Sequence, residues 1–202
     1  MSDTADFWNT RFAVSEFIYG EAPNDFLREQ APRLAPGSRV LSLGEGEGRN
    51  ALFLAKLGHA LTAVDASHEG LAKVLARAAA AGVDITVVLA DLARYQPGVA
   101  QFDAVVSVFC HLPSALRRTV MTRAMAALKP GGLLIMEGYT PRQLAFGTGG
   151  PKDADMLLEA DIVRGELAGL ALLHFVELER EVIEGSYHTG RASVLQVVAR
   201  KP

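Results

Sequence analysis

The sequence predicts an α/β fold, a mostly parallel sheet with helices on both faces. Three observations carry that expectation. Short apolar runs alternate with helical patterns from about residue 39 to 139, the rhythm of strands joined by right-handed helical crossovers. The runs are almost continuously apolar, as in strands covered on both faces. Half of the 202 residues are hydrophobic and 19 are glycine, enough for a sizeable core and against global disorder.

The first strand is read over Arg39–Leu43 and ends at a glycine-rich turn. A helix follows with Ala51, Leu52, Leu54 and Ala55 inward and Gly58 as its stop. Residues 60–64 form the second strand, which ends at Asp65. Ser67 caps the next helix, with Glu69 in its positive first turn. Leu71, Val74, Leu75 and Ala78 keep helical spacing there, and Gly82 closes it. The third strand is Ile85–Leu89, before Asp91, and the fourth spans 102–109. Pro113 and Ser114 open a helix with Leu116, Val120, Ala124 and Leu128 on one stripe. Residues 129–132 are read as its stop, and 133–136 as the fifth strand.

The two ends differ from this pattern. Residues 3–35 read as two helical pieces around a turn at residues 19–24. Residues 141–152 hold three glycines and two prolines without periodicity, hence a loop. A helix is expected over roughly 153–167, then strands at about 171–182 and 191–200 joined as an antiparallel hairpin. The expectation is a single domain over 1–202, with a helical lid at 1–35 and the core at 36–202.

Composition excludes several classes. Lys and Arg number 20 against 23 Asp and Glu, a net charge of −3. No basic excess exists to neutralise a phosphate backbone, so no nucleic-acid partner is expected. One cysteine, Cys110, permits no internal disulfide and no cysteine zinc cluster. The polar, acidic residues 1–6 do not resemble a signal peptide. No apolar run approaches the roughly 18 residues of a membrane span. A soluble cytoplasmic protein without a membrane partner is expected.

The central motif is Gly44-Glu45-Gly46-Glu47-Gly48, between the first strand and its helix. Glycines there permit a tight turn and a close approach to a ligand. The spacing is not that of the dinucleotide fingerprint. A pyrophosphate at the helix N-terminus wants donors, and Glu45 and Glu47 repel it. S-adenosylmethionine carries no phosphate but a sulfonium and an α-ammonium group, and an acidic loop suits it better. Asp65 lies about 20 residues after Gly44, where an acid accepts from ribose hydroxyls. Its alternative role is a helix cap. Asp91 is placed to accept from an adenine amino group, or to serve as a turn residue. All three features sit at carboxyl ends of successive strands, where open α/β sheets bind ligands.

With these residues in view, the chain resembles the class I S-adenosylmethionine-dependent methyltransferases. The resemblance rests on the Gly44–Gly48 loop, Asp65, Asp91, the strand from Phe102 to Val106 and the Lys129-Pro130-Gly131-Gly132 turn. Within that superfamily it is most similar to the small tellurite-resistance and thiopurine-type methyltransferases, through Phe7-Trp8-Asn9, Tyr19-Gly20, Pro23-Asn24 and Gly46-Glu47-Gly48-Arg49-Asn50. The resemblance implies a Rossmann-like seven-stranded sheet of order 3-2-1-4-5-7-6 with strand 7 antiparallel. It implies S-adenosylmethionine as cofactor, held by Gly44, Glu45, Gly46, Gly48 and Arg49. It places Asp65 on the ribose, Ala66 beside the adenine, and Asp91 and Leu92 at the adenine edge. Val108 and Phe109 flank the methionyl group, and Trp8, Arg11 and Tyr19 belong to the lid. One departure matters: Ser42 stands where the superfamily often has an acid. Glu45 or a backbone carbonyl then serves the α-ammonium group. Arg49 has the alternative of pairing with Glu45.

No catalytic dyad is assigned. A soft nucleophile such as a thiolate, selenide or telluride needs little general-base help. His111, just past the fourth strand, is the candidate base or polar contact on the substrate side, against a turn-stabilising role. Tyr139 follows the fifth strand and lines that side. His188 and Arg191, near the last hairpin, reach an anionic substrate or are exposed turn residues. No Asn-Pro-Pro-Tyr-like or Pro-Cys motif follows the fourth strand, so a small-molecule substrate is expected. The N-terminal lid and the 141–152 loop close the pocket, and their composition reads as mobile. The competing readings are a nucleotide-dependent oxidoreductase and a non-catalytic cofactor-binding protein.

Overall fold

The computed structural model describes residues 3–202. Met1 and Ser2, part of the N-terminal reading, lie outside the described residues. In chain order the helices are α1 (Asp3–Phe12), α2 (Asp25–Gln30), α3 (Arg49–Lys56), α4 (His68–Ala81), α5 (Ser114–Ala127) and α6 (Ala160–Glu166). The strands are β1 (Arg39–Leu43), β2 (Ala60–Asp65), β3 (Ile85–Leu89), β4 (Phe102–Val108), β5 (Leu128–Tyr139), β6 (Ala171–Glu184) and β7 (His188–Arg200). They form one sheet of order β3-β2-β1-β4-β5-β7-β6. β1 to β5 pair in parallel, and β7 runs antiparallel between β5 and β6. The expected topology is the observed one.

Each face of the sheet buries its own cluster. Val40, Ala63, Ala104, Val106 and Ile135 pack on one face with α3, α4 and residues 26–34. Leu41, Leu43, Val105, Leu134 and Val197 pack on the other with α5 and α6. Adjacent residues of one strand enter opposite clusters because side chains alternate across a sheet. Ser67 caps α4, its hydroxyl accepting from the Gly70 N–H, and Gly82 ends that helix at φ +66°.

Four expectations are corrected. The helix at 153–167 is a 3-10 turn, Ala154–Met156, followed by the shorter α6. Leu157 and Leu158 interrupt it: the Leu158 N–H donates to the Tyr139 carbonyl at 2.8 Å, and both leucines are buried. Residues 129–132 do not stop the chain before a short strand. β5 runs from Leu128, a register shift absorbing the irregularity opposite Phe102, and Gly131 and Gly132 bond to Lys201. The 141–152 segment holds a 3-10 turn, Pro141–Ala145, and is anchored. Buried Gln143 donates to Thr148 Oγ1 and the Gly149 carbonyl and accepts from the Ser193 N–H. The hairpin strands are also longer than read, joined by residues 185–187.

One polar network crosses the buried interior. Glu137 on β5 accepts from Arg180 on β6, Gln196 on β7 and Asn24. Glu184 accepts from Arg49 at 2.5 Å and Asn24 at 2.8 Å. The Asn24 side chain also accepts from the Leu27 N–H, capping α2. Asn24→Ala leaves two buried carboxylates short of a donor, and such losses cost about 2–3 kcal/mol. Urea unfolding is expected to show that loss, against no measurable change for exposed Thr119→Ala; a loss below about 0.5 kcal/mol would mean that solvent replaces the amide.

Candidate active site at the carboxyl edge of the sheet

The glycine loop turns left-handed three times, with φ of +62° at Gly44, +60° at Gly46 and +87° at Gly48. Those angles disfavour any residue with a Cβ. Close packing adds to the requirement: a Cβ on Gly44 would lie 2.6 Å from Cys110 Sγ, and one on Gly46 3.2 Å from Phe12 Cζ. The loop is pinned to β2 by the Glu45 N–H, which donates to the Val64 carbonyl at 3.1 Å.

Two acids flank the loop. Asp65 is buried at the end of β2 and accepts from the Gly46 and Ser67 N–H groups, each at 2.8 Å. Burial holds its carboxyl above the ordinary range, against the pull of those bonds. Glu45 is buried too, and desolvation raises it likewise. Its carboxylate accepts from the Ala51 N–H at 2.8 Å in the first turn of α3 and from the Ser42 hydroxyl. Ser42 therefore works as the partner of an acid supplied three residues later, at a positive helix end. Glu47 points elsewhere, pairing with Lys73 at 2.7 Å.

The N-terminal segment lies over this loop. Phe12 is 2% exposed and stacks on Trp8, with ring centroids 5.4 Å apart. Asn9 accepts from the Ser67 hydroxyl at 2.8 Å. Arg11 donates to the Tyr19 hydroxyl at 3.0 Å and lies 4.6 Å from the centre of the Tyr187 ring. Lys73 reaches the Glu16 carbonyl and Arg77 the Glu21 carbonyl. Phe12 was missed in the sequence; an aromatic residue in a helix that ends on the lid gives no sign of which glycine it covers.

The remaining expected residues separate into groups. Asp91 accepts from the Ala93 N–H at 2.8 Å, a turn contact, and Leu92 packs into the α5-side cluster. Ala66 follows Asp65 half-buried. Val108 is buried, and Phe109 leaves β4 at φ +49°. Such a conformation is uncommon for a bulky side chain; the Phe109 N–H bond to the Glu137 carbonyl, 2.7 Å, fixes it. Phe109 joins Tyr139 and His188 in an aromatic group, with centroids 4.6 and 4.9 Å away. His111 stacks on Tyr139, and its Nε2 accepts from the Tyr139 N–H at 3.0 Å. Its other nitrogen is engaged with Phe109, and burial lowers it to about 4. His188 is buried beside Tyr19, not exposed in a turn. Arg191 is exposed and pairs with Glu179. Arg49 pairs with Glu184 rather than Glu45. Among the described residues, no group of three or more His, Cys, Asp or Glu is placed to hold a metal ion.

Residues 40–132 match the family model described as a methyltransferase domain, and the sheet order is the one expected of the class I methyltransferase fold. Among curated proteins the chain is similar to a ubiquinone biosynthesis O-methyltransferase of Xanthomonas campestris, 35% identical over 122 residues, or 57% of this chain and 49% of that protein. The chain spans about half the length of the curated relatives it matches. Among solved structures it is similar to one described under the conversion of a disulfide bond into a thioacetal group during echinomycin biosynthesis. That match has a TM-score of 0.76 at 20% identity, covering 98% of this chain and 92% of the other. It is also similar to TehB from Haemophilus influenzae, TM-score 0.73 at 18% identity, covering 98% and 67%.

The buried histidines set a pH dependence. Desolvation lowers His188 to about 3 and His111 to about 4, and it lowers His59 as well. All three are neutral in the fold, while the unfolded chain takes up protons below about pH 6.5. Their contribution to stability is thus complete above pH 6.5 and is lost as the pH falls toward 4. The raised Glu45 and Asp65 act with the opposite sign. Denaturant midpoints measured from pH 7 to 4.5 are expected to slope less in the double variant His111→Gln/His188→Gln than in the native chain. Parallel curves would contradict the neutral, buried state.

Proposed function

We propose that this protein transfers a methyl group from S-adenosylmethionine to a small-molecule acceptor, with a soft sulfur, selenium or tellurium nucleophile as the favoured class. One observation carries the reading: a left-handed glycine loop is flanked by two buried acids, Glu45 and Asp65. That environment suits a cationic, phosphate-free ligand and repels a pyrophosphate. The cofactor supplies an electrophilic methyl group on a sulfonium.

The chain's own residues bind, align and exclude water. Gly44, Gly46 and Gly48 allow close approach. Each Asp65 oxygen keeps a lone pair beyond its backbone bond, which serves ribose hydroxyls. Glu45 serves the α-ammonium group in place of the acid missing at Ser42. Ala66, Asp91 and Leu92 bound the adenine side, and Val108 and Phe109 the methionyl side. Trp8, Arg11, Phe12 and Tyr19 form the cover, so a ligand reaches Gly46 only when Phe12 is displaced. In-line transfer needs alignment and a dry site more than a base. The aromatic wall of Phe109, Tyr139 and Tyr19 supplies dryness.

The relatives support the class and leave the acceptor open. One similar structure is described with sulfur chemistry and another is TehB; a soft acceptor and a role in tellurite resistance rest on that likeness. A cytoplasmic location and the lack of nucleic-acid or membrane partners belong to the same reading. No helix among the described residues is long and apolar enough to cross a membrane.

Calorimetry with S-adenosylhomocysteine, and with NAD as control, tests the cofactor. Binding of the former alone is expected. Asp65→Ala is expected to weaken it by about 1–3 kcal/mol, the range for hydrogen bonds left unmade. Binding of NAD alone would replace this reading with an oxidoreductase. Cofactor binding without turnover of any thiol or chalcogenide would leave a non-catalytic binding protein.

A further inference from the structure

Buried polar atoms almost always find a partner, so exceptions call for an explanation. Five such side-chain atoms lack one among the described residues. His59 and His174 supply two of them. The other three, Arg49 Nη1, Tyr139 Oη and His188 Nδ1, belong to residues that lie together. Arg49 donates to Glu184, and Glu184 is the cross-strand partner of His188. His188 meets the Tyr139 ring edge to face, with centroids 5.2 Å apart. A Cβ built on Gly149 would lie 3.2 Å from both Tyr139 Oη and His188 Cδ2. All three side chains are at least nine-tenths buried, at 8%, 0% and 8% exposure. They stand at the carboxyl edge of the sheet, beside the aromatic wall of the site.

The chemistry of the three atoms is asymmetric. Arg49 Nη1 only donates, and the Tyr139 hydroxyl stays protonated and can donate. His188 stays neutral and offers one nitrogen. The charges around them are not balanced. Arg180 faces Glu137, and Arg49 faces Glu184. Arg11, close enough to act on His188, has no carboxylate partner among the described residues. Donors in excess and one uncompensated cation fit a single negative charge. The rings of Phe109, Tyr19 and Tyr187 fit a flat apolar body attached to it.

We propose that Arg49, Tyr139 and His188 form a subsite for a carboxylate or similar monoanionic oxygen group on the methyl acceptor, separate from the atom that is methylated. Naming the ligand as the acceptor rests on the methyl-transfer reading; the anion preference stands on the three unpartnered atoms. Residues 147–150 close the subsite. Gly150, at φ +83°, lies so near that a Cβ would sit 2.6 Å from the Tyr139 ring.

Benzoate and its neutral isostere benzamide are the probes, titrated calorimetrically with and without saturating S-adenosylhomocysteine. Benzoate is expected to bind at least about tenfold more tightly than benzamide, the scale of one charge-assisted hydrogen bond. Tyr139→Phe and Arg49→Lys are expected to remove most of that preference; the lysine can keep the Glu184 pair but lacks the second, forked nitrogen that stands where Nη1 does. Tyr139→Phe removes only a hydroxyl without a partner, so its Tm is expected to stay level or rise. Equal affinity for the two probes overturns the subsite, as does a Tyr139→Phe variant that keeps the preference. A failure of S-adenosylhomocysteine to bind the native chain sinks the methyl-transfer reading instead, and the titration without it still decides the anion preference.

Discussion

Two carboxylates set into the sheet, Glu137 and Glu184, govern how four distant segments meet. A buried charge is tolerated only with several well-placed partners. Glu137 finds them in Arg180, Gln196 and Asn24, and Glu184 in Arg49, Arg180 and Asn24. Asn24 leads into α2, Arg49 is the first residue of α3, and Arg180 lies on the edge strand. None of these segments can shift alone without stripping a donor from a buried acid. The start of α3, directly behind the glycine loop, is thereby fixed against the β6–β7 hairpin. The network ties the cofactor side of the site to the face that carries His188.

Charge divides the site in the same way. Glu45 and Asp65 line the glycine loop, whereas Arg49, Arg180 and Arg11 stand toward the hairpin and the lid. Under the proposed reaction a sulfonium meets an anionic nucleophile, and that pair of charges is lost as a thioether and a methylated nucleophile form. Water stabilises the separated charges more than the charge-dispersed transition state. A dry site with each charge facing fixed opposite charge removes that disadvantage. The burial of Phe12 and the aromatic wall serve this purpose when the cover is in place.

The sheet was readable because its signals are local. Apolar runs, Ser67 as a cap, Gly82 as a stop and the loop glycines each act within a few residues. That β6 and β7 oppose each other was readable from the short hairpin span, whereas the antiparallel place of β7 against β5 followed only from the family resemblance. What escaped was set by partners far along the chain. Arg49 meets Glu184, 135 positions away, and no spacing rule connects them. His188 looks like a turn residue in sequence and is buried because Tyr19, Tyr139 and Phe109 converge on it. The helix at 153–167 failed for the same reason: Leu158 is held extended by a carbonyl on β5. Phe109 belongs with these, since its left-handed backbone follows from a bond to Glu137 and from nothing local.

The protonation states argue for an acceptor that supplies its own nucleophile. His111 has both nitrogens engaged and is lowered to about 4 by burial. His188 sits lower still, and Tyr139 is pushed well above its usual value. Cys110, packed on Gly44, is raised to about 12. None of these groups changes charge near neutrality, where a general base is effective. A hydroxyl or an ammonium acceptor needs such a base, whereas a thiol or heavier chalcogen hydride ionises without one. Under the proposed reading, burial leaves these four groups unsuited to act as a base, which fits a soft anion that does not require one.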